Sequence, residues 1–252
     1  MMNSSVPALL LHRLVALHSR RIEASRTTRT PIISFTFDDF PRSAAGVAAD
    51  ILAEYGKLAT YYVSSSLMGT ANGLGDMFRR EDLVNLSLAG HELACHTFSH
   101  VPCSGLADEE LMHNCEENRD CIASLVNGYL VSNFSYPNGV VTLAAKTCLA
   151  SVYHSNRSSQ PGLNLDPIDL GFLRANPVYS RFDIARPKDL IRRNTKESGW
   201  LIFYTHDVAD SHSRYGCTPE YFREVVRCAV ESGAEIEPVG KVIPRFVGTH
   251  KQ

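Results

Sequence analysis

No stretch of the 252-residue sequence is long and apolar enough to span a bilayer, and no tract is repetitive or of low complexity. Charge of either sign is not in excess: 25 Lys and Arg face 27 Asp and Glu, a net of -2 with the histidines neutral. That balance gives no electrostatic case for nucleic acid or an acidic membrane surface as a partner. The seven cysteines (95, 103, 115, 121, 148, 217 and 228) are odd in number, and none stand at C-x-x-C spacing. A thiolate zinc site or a disulfide framework needs better spacing than this. Cys115, Cys121, Cys148 and Cys228 fall in predicted helices, where a free thiol behaves as a small hydrophobe, and a reducing compartment is the simpler setting.

The start of the chain lacks the order of a secretory signal. Residues 6–11 are apolar but short, and His12, Arg13, His18, Arg20 and Arg21 follow them, whereas a signal puts its basic residues first. Residues 1–28 therefore read as an N-terminal extension, a tail plus an amphipathic helix over 12–22. Residues 29–248 read as a single domain. A cytoplasmic location is expected, with an unrecognised export route left open.

What is present is an ordinary globular composition, 44% hydrophobic and 21% charged, enough for one substantial core. Period and turn signals predict strands over 31–39, 59–64, 92–95, 129–136, 151–154, 171–175, 200–205 and 234–239. Helices are predicted over 43–56, 80–89, 108–126, 141–149, 187–193 and 219–231. Alternation of this kind implies a parallel α/β fold. An open doubly wound sheet and a barrel both satisfy it, but chemistry-bearing residues fall at the C-terminal ends of several different strands. Those ends converge on one rim in a barrel, so the expected architecture is a single-domain distorted (β/α) barrel with seven or eight parallel strands.

The chemistry begins with Asp38-Asp39, two adjacent carboxylates ending the apolar run 31–37. Side by side at the end of a buried strand they repel and lose hydration, so a positive group is expected beside them, unless one merely caps the next helix. His96 and His100 follow another strand at four-residue spacing, which on a helical turn puts both imidazoles on one face. Two imidazoles and one carboxylate make the open three-donor site of a hydrolytic metal. His206 and Asp207 end a further apolar strand.

These blocks resemble the polysaccharide deacetylase family, metal-dependent carbohydrate esterases with a NodB-type homology domain. The resemblance rests on Thr36-Phe-Asp38-Asp39, on 90–100 with His96 and His100, on Phe134-Ser-Tyr136-Pro137-Asn138-Gly139, and on 201–207 with His206 and Asp207. It runs in the family's order over about residues 30–245. It implies that Asp38 is the general base, that Asp39, His96 and His100 hold one divalent metal, and that His206 is the general acid. The donors suit zinc, and cobalt or another divalent ion also fits. Tyr136, Pro137, Asn138 and Gly139 are the expected substrate and oxyanion segment, with the backbone N–H of Asn138 as donor.

The implied activity is removal of an acetyl group from an N-acetylated sugar of a surface glycan or its precursor. Two other readings use the same barrel: an amidohydrolase on a small non-sugar amide, and a sugar-binding protein with a degenerate site. Two departures from the family pattern stand out. Ser135 occupies the place, two residues before Pro137, where the family often carries an Arg that braces the base, and Asn138 replaces a common aromatic. Arg174 is the expected replacement brace. Tyr204 sits where the family tends to place an aliphatic residue lining the acetyl pocket, and Asp207 either orients His206 or bonds local backbone.

Overall fold

The computed structural model describes residues 18–19 and 22–248, so most of the helix expected over 12–22 lies outside the described residues. The strands are β1 (Glu23–Arg26), β2 (Ile32–Asp38), β3 (Thr60–Val63), β4 (Ala71–Asn72), β5 (Gly75–Asp76), β6 (Glu92–Cys95) and β7 (Asn133–Ser135). They continue with β8 (Ser155–Arg157), β9 (Ile168–Asp169), β10 (Asn176–Pro177), β11 (Trp200–Thr205), β12 (Glu235–Ile236) and β13 (Phe246–Gly248). The α-helices are α1 (Ala49–Ala53, continuing a π-helical stretch at Ala44–Ala48), α2 (Arg80–Leu88), α3 (Asp108–Leu125), α4 (Leu143–Leu149), α5 (Ala185–Glu197), α6 (Pro219–Glu231) and α7 (Val239–Val242). Among the described residues no helix is long and apolar enough to cross a membrane.

Seven strands lie side by side in the order β10-β11-β2-β3-β6-β7-β8, all parallel. β12 pairs with the first residues of β2, on the edge where β3 takes over from Thr36 onward. One segment closes the curl. Leu173 bridges in parallel to Arg157 of β8, and three residues later Asn176 and Pro177 pair with Phe203 and Tyr204 of β11. The result is the distorted (β/α) barrel expected from the chemistry placed at the strand ends. A separate antiparallel sheet, β13-β1-β9, brings the N- and C-terminal parts together; β1 carries no strand signal in the sequence reading.

Strand parity separates the two faces. Ile33, Phe35 and Phe37 of β2 pack outward with Ala48, Ile51, Phe222 and Val225 in the core between sheet and helices. Ile32, Ser34, Thr36 and Asp38 share the opposite parity and face the barrel interior. The interior is apolar at one end, where Ile32, Trp200 and Ile202 meet Val239 and Val242. It is polar above that. Thr60 and Asn133 donate to the Glu92 carboxylate at 2.7 and 2.6 Å, Gly240 N–H at 2.7 Å, and Ser155 donates to Asn133 Oδ1 at 2.7 Å.

This polar lining explains two boundary differences. The strand expected over 151–154 lies instead at Ser155–Arg157, because residues 150–153 finish the helical turn of α4, with Tyr153 N–H bonded to Leu149 O at 3.0 Å. Ser-Asn-Arg carries no apolar signal, since Ser155 and Arg157 point into the barrel. The strand expected over 129–136 shrinks to Asn133–Ser135. All seven cysteines are free thiols.

Candidate active site

Asp38 is the last residue of β2 and by parity points to the barrel axis. A strand would send Asp39 the other way. Instead Asp39 adopts φ 42°, a left-handed conformation uncommon outside glycine, and the turn brings the second carboxylate to the same rim. His96 follows β6 and is buried; His100 lies four residues beyond it in an irregular loop. The helical turn expected for this pair is absent: Thr97 and His100 have φ 61° and 51°, and these two left-handed residues perform the convergence.

The three side chains form one cluster, with donor atoms all within 4.8 Å of one another. His100 Nε2 is 2.7 Å from Asp39 Oδ2, and His96 Nε2 is 3.8 Å from Asp39 Oδ1. His96 Nδ1 donates to Ser135 O at 2.7 Å, which fixes the tautomer and turns the Nε2 lone pair toward Asp39. Asp39 Oδ1 is buried with no hydrogen-bond partner, an expensive arrangement unless a cation answers it. The donor set therefore fits a divalent metal. Burial works to raise the Asp39 carboxyl, yet the imidazoles of His96 and His100 outweigh it and hold the group below its ordinary value. Burial also depresses His96, keeping it neutral as a metal ligand must be, while for His100 the bond to Asp39 overrides burial and shifts it upward.

Beside the cluster lies Arg157, a residue the sequence reading passed over. It is 1% exposed. Its Nη2 donates to both Asp38 oxygens and to Ser135 Oγ, and its Nη1 donates to Ser158 O at 3.2 Å. The guanidinium lies between two rings, 4.9 Å from the Tyr62 centroid and 5.2 Å from that of Tyr204. Burial alone would favour losing its charge, but the Asp38 carboxylate overrides this and raises its pKa. Arg174, the expected brace, is elsewhere: its Nη1 donates to Pro161 O at 3.0 Å, outside the cleft that Asp38 lines. The strand expected over 171–175 is instead a 3-10 turn at Leu170–Phe172 followed by a single parallel bridge from Leu173 to Arg157, and Arg174, one residue on, has the outward parity.

Across the cleft, His206 follows β11. Its Nδ1 lies 3.2 Å from the carbonyl of Tyr215, which can only accept, so Nδ1 is the protonated nitrogen and Nε2 is free for a bound group. Asp207 does not orient it. That carboxylate turns into its own loop and accepts from Ser213 N–H at 2.5 Å and Ser213 Oγ at 2.6 Å. It acts on His206 only by shaping the loop that presents the Tyr215 carbonyl.

A cleft of about 680 Å³ joins these groups. Tyr136, Asn138 and Gly139 form one wall. Tyr136 is anchored by its hydroxyl to Gly171 O at 3.0 Å, and Pro137 is buried behind it. Asn138 has φ 55°, and Gly139 has φ 62° with its Cα so close that any Cβ would run into Ser159. Tyr179, Tyr204 and Tyr215 surround His206, at centroid distances of 6.2, 6.4 and 5.6 Å.

A parallel barrel with a carboxylate pair ending one strand, an imidazole pair after another and a buried acceptor without a donor defines a barrel protein built around an Asp-His-His cluster. Its family follows from comparison. Residues 25–153, just over half of the chain, match the polysaccharide deacetylase family, and the chain belongs to that family. It is 27% identical over 97 residues to a probable peptidoglycan-N-acetylglucosamine deacetylase of Arthroderma benhamiae; that match covers 38% of this chain and only 21% of the relative.

Among solved structures it resembles a family 4 carbohydrate esterase from Bacillus anthracis, with a TM-score of 0.61, 15% identity and coverage of 87% of this chain and 86% of that one. A family 4 acetyl xylan esterase from Clostridium thermocellum, in complex with a cobalt ion, aligns with a TM-score of 0.59 and 15% identity over 84% of this chain and 90% of that one. At such identities the likeness is one of fold.

Proposed function

We propose that this protein is a divalent-metal-dependent hydrolase that removes the acetyl group from an N-acetylated sugar of a surface glycan or its precursor. The observation that carries the reading is the buried Asp39 Oδ1 without a donor, set between two imidazoles and next in sequence to an arginine-braced Asp38. Family membership and the deacetylase name of the curated relative support it. A divalent cation on Asp39, His96 and His100 would supply Lewis acidity toward the acetyl carbonyl and a water nucleophile at neutral pH; zinc suits the donors, as do cobalt and other divalent ions.

The protein's own groups divide the remaining work. Asp38, held by Arg157, takes the proton of the attacking water. The backbone N–H of Asn138, on the facing wall, stabilises the developing oxyanion and needs no particular side chain. The sugar nitrogen departs only when protonated; His206 in its doubly protonated form, with Nδ1–H on the Tyr215 carbonyl, gives that proton from Nε2 and is left as the neutral Nδ1–H imidazole. The tyrosines around His206 offer flat apolar faces to a sugar ring and exclude water from the reacting bond.

Acetate release by the metal-loaded protein, screened over N-acetylated monosaccharides, nucleotide sugars, lipid-linked sugars and polymers, tests the reading. Asp38→Asn should retain metal and lose turnover by about two to four orders of magnitude. No acetate from any N-acetylated sugar, or native rates in both Asp38→Asn and His206→Ala, would reject it.

A further inference from the structure

Around the cleft mouth two arginines gather on one tyrosine. The Tyr215 ring, 41% exposed, stands 5.6 Å from His206. Arg214 lies 5.2 Å from the Tyr215 centroid and lines the cleft; Arg181 lies 5.8 Å from the same centroid and 5.0 Å from that of Tyr179. Among the described residues neither guanidinium has a carboxylate within ion-pair distance, whereas Arg42, Arg193, Arg223 and Arg227 do. Asp183, close to Arg181 in sequence, caps the start of α5 through Ala185 N–H at 2.8 Å. In a chain with a net charge of -2, two uncompensated guanidiniums beside the general acid concentrate positive potential where substrate enters.

The loop that carries Arg214 and Tyr215 is prebuilt. Beyond the Asp207 bonds to Ser213, His212 Nε2 and Ser180 Oγ are 2.6 Å apart, Ser180 N–H donates to Gly216 O at 3.2 Å, and Cys217 N–H donates to Asp207 O at 3.0 Å. Ring stacking holds both guanidiniums with their N–H edges unused by carboxylates, the state in which an arginine fork accepts an anion at low ordering cost.

From this geometry we infer that Arg181 and Arg214 form an anion subsite, so that the preferred substrate is an N-acetylated sugar bearing a phosphoryl or carboxylate group close to the acetamido-bearing ring. The inference rests on the deacetylase reading for its substrate and adds the charge that substrate carries. The acetamido group would lie in the cleft beside His206, with the anionic substituent of the sugar reaching the guanidiniums that pack on Tyr215.

The test compares metal-loaded native protein and the Arg181→Gln/Arg214→Gln double variant on N-acetylglucosamine, its 1-phosphate, and N-acetylmuramic acid, reading both acetate release and calorimetric binding. Native protein should favour at least one anionic sugar over the neutral one by about tenfold or more, as a charge-assisted arginine contact implies. That ratio should fall toward one in the double variant and shrink as salt rises from 50 to 500 mM. A phosphate-only or carboxylate-only preference identifies the anion. Should the double variant fail to fold, the salt dependence of the native ratio decides alone. Acetate release indifferent to substrate charge overturns the subsite and leaves the deacetylase reading standing. Charge-selective, arginine-dependent binding with no acetate released supports the subsite while rejecting the deacetylase reading.

Discussion

Ser135 and Arg157 stand opposite each other on β7 and β8, and the arginine nitrogen that donates to the serine hydroxyl also donates to Asp38. The serine is small where a long side chain from the next strand must cross to reach the carboxylate. The family position that often holds an arginine thus holds a hydroxyl, and the guanidinium arrives from the neighbouring strand instead. Arg157→Met should retain metal but lower kcat/KM by about 10- to 1000-fold, as loss of orientation at a catalytic base implies. The transposed pair Ser135→Arg/Arg157→Ser should recover part of that loss. Native turnover in Arg157→Met would show that Asp38 needs no brace.

The Asp39-His96-His100 cluster offers a direct measurement. Purified protein should carry about one divalent ion per chain, as a three-donor site implies. His96→Ala and His100→Ala should each strip it, and Asp38→Asn should not. Elemental analysis reads the result; full occupancy in both histidine variants would remove the site.

The loop after β11 gives a further prediction. Asp207 is 1% exposed, and its two bonds to Ser213 close the loop that presents the Tyr215 carbonyl to His206. Asp207→Ala strands the part-buried Ser213 N–H and hydroxyl and should cost about 1–3 kcal/mol of stability. It should also lower turnover more than substrate binding, since His206 loses its orienting acceptor. An unchanged urea midpoint with unchanged kcat would contradict this role.

His91 makes folding sensitive to mild acid. Its Nδ1 accepts the Ala59 N–H at 3.0 Å, and burial pushes its pKa down to about 4. In the unfolded chain it protonates near the ordinary histidine value of about 6.5. Below that pH the unfolded state binds the extra proton, so the contribution is complete above about 6.5 and declines as pH falls toward 4. His91→Asn keeps an acceptor without the titration. Urea unfolding between pH 4.5 and 7.5 should give a shallower dependence in the variant, by up to one proton; equal slopes would assign the effect to other groups.

Much of the site was legible because local pattern and chemistry coincided. The run ending in Asp38-Asp39 is apolar on one parity and, past Ile32, small or polar on the other, and it forms β2. His96 and His100 carry the spacing of a ligand pair, and their cluster with Asp39 forms, although by two left-handed residues rather than a helical turn. Arg157 was not legible. Its strand reads Ser-Asn-Arg, and a strand that lines a polar interior has no apolar face to announce it. Arg174 attracted the brace assignment because it lies in an apolar run, yet its parity turns it outward. The link from Asp207 to His206 failed for a related reason, since a carboxylate beside a histidine in sequence has nearer backbone and hydroxyl donors to satisfy.

By itself, then, the sequence determined the alternation of strands and helices, the strand-end placement of Asp38, Asp39, His96 and His206, and the family. These depend on hydrophobic period and on residue types that few other chemistries require. Tertiary structure alone decided which arginine reaches Asp38, how the barrel closes through residues 173–177, and which carbonyl holds His206. Those choices depend on the register of strands distant in the chain, because a buried charge or polar group is satisfied by whichever partner the closed barrel brings within hydrogen-bond reach.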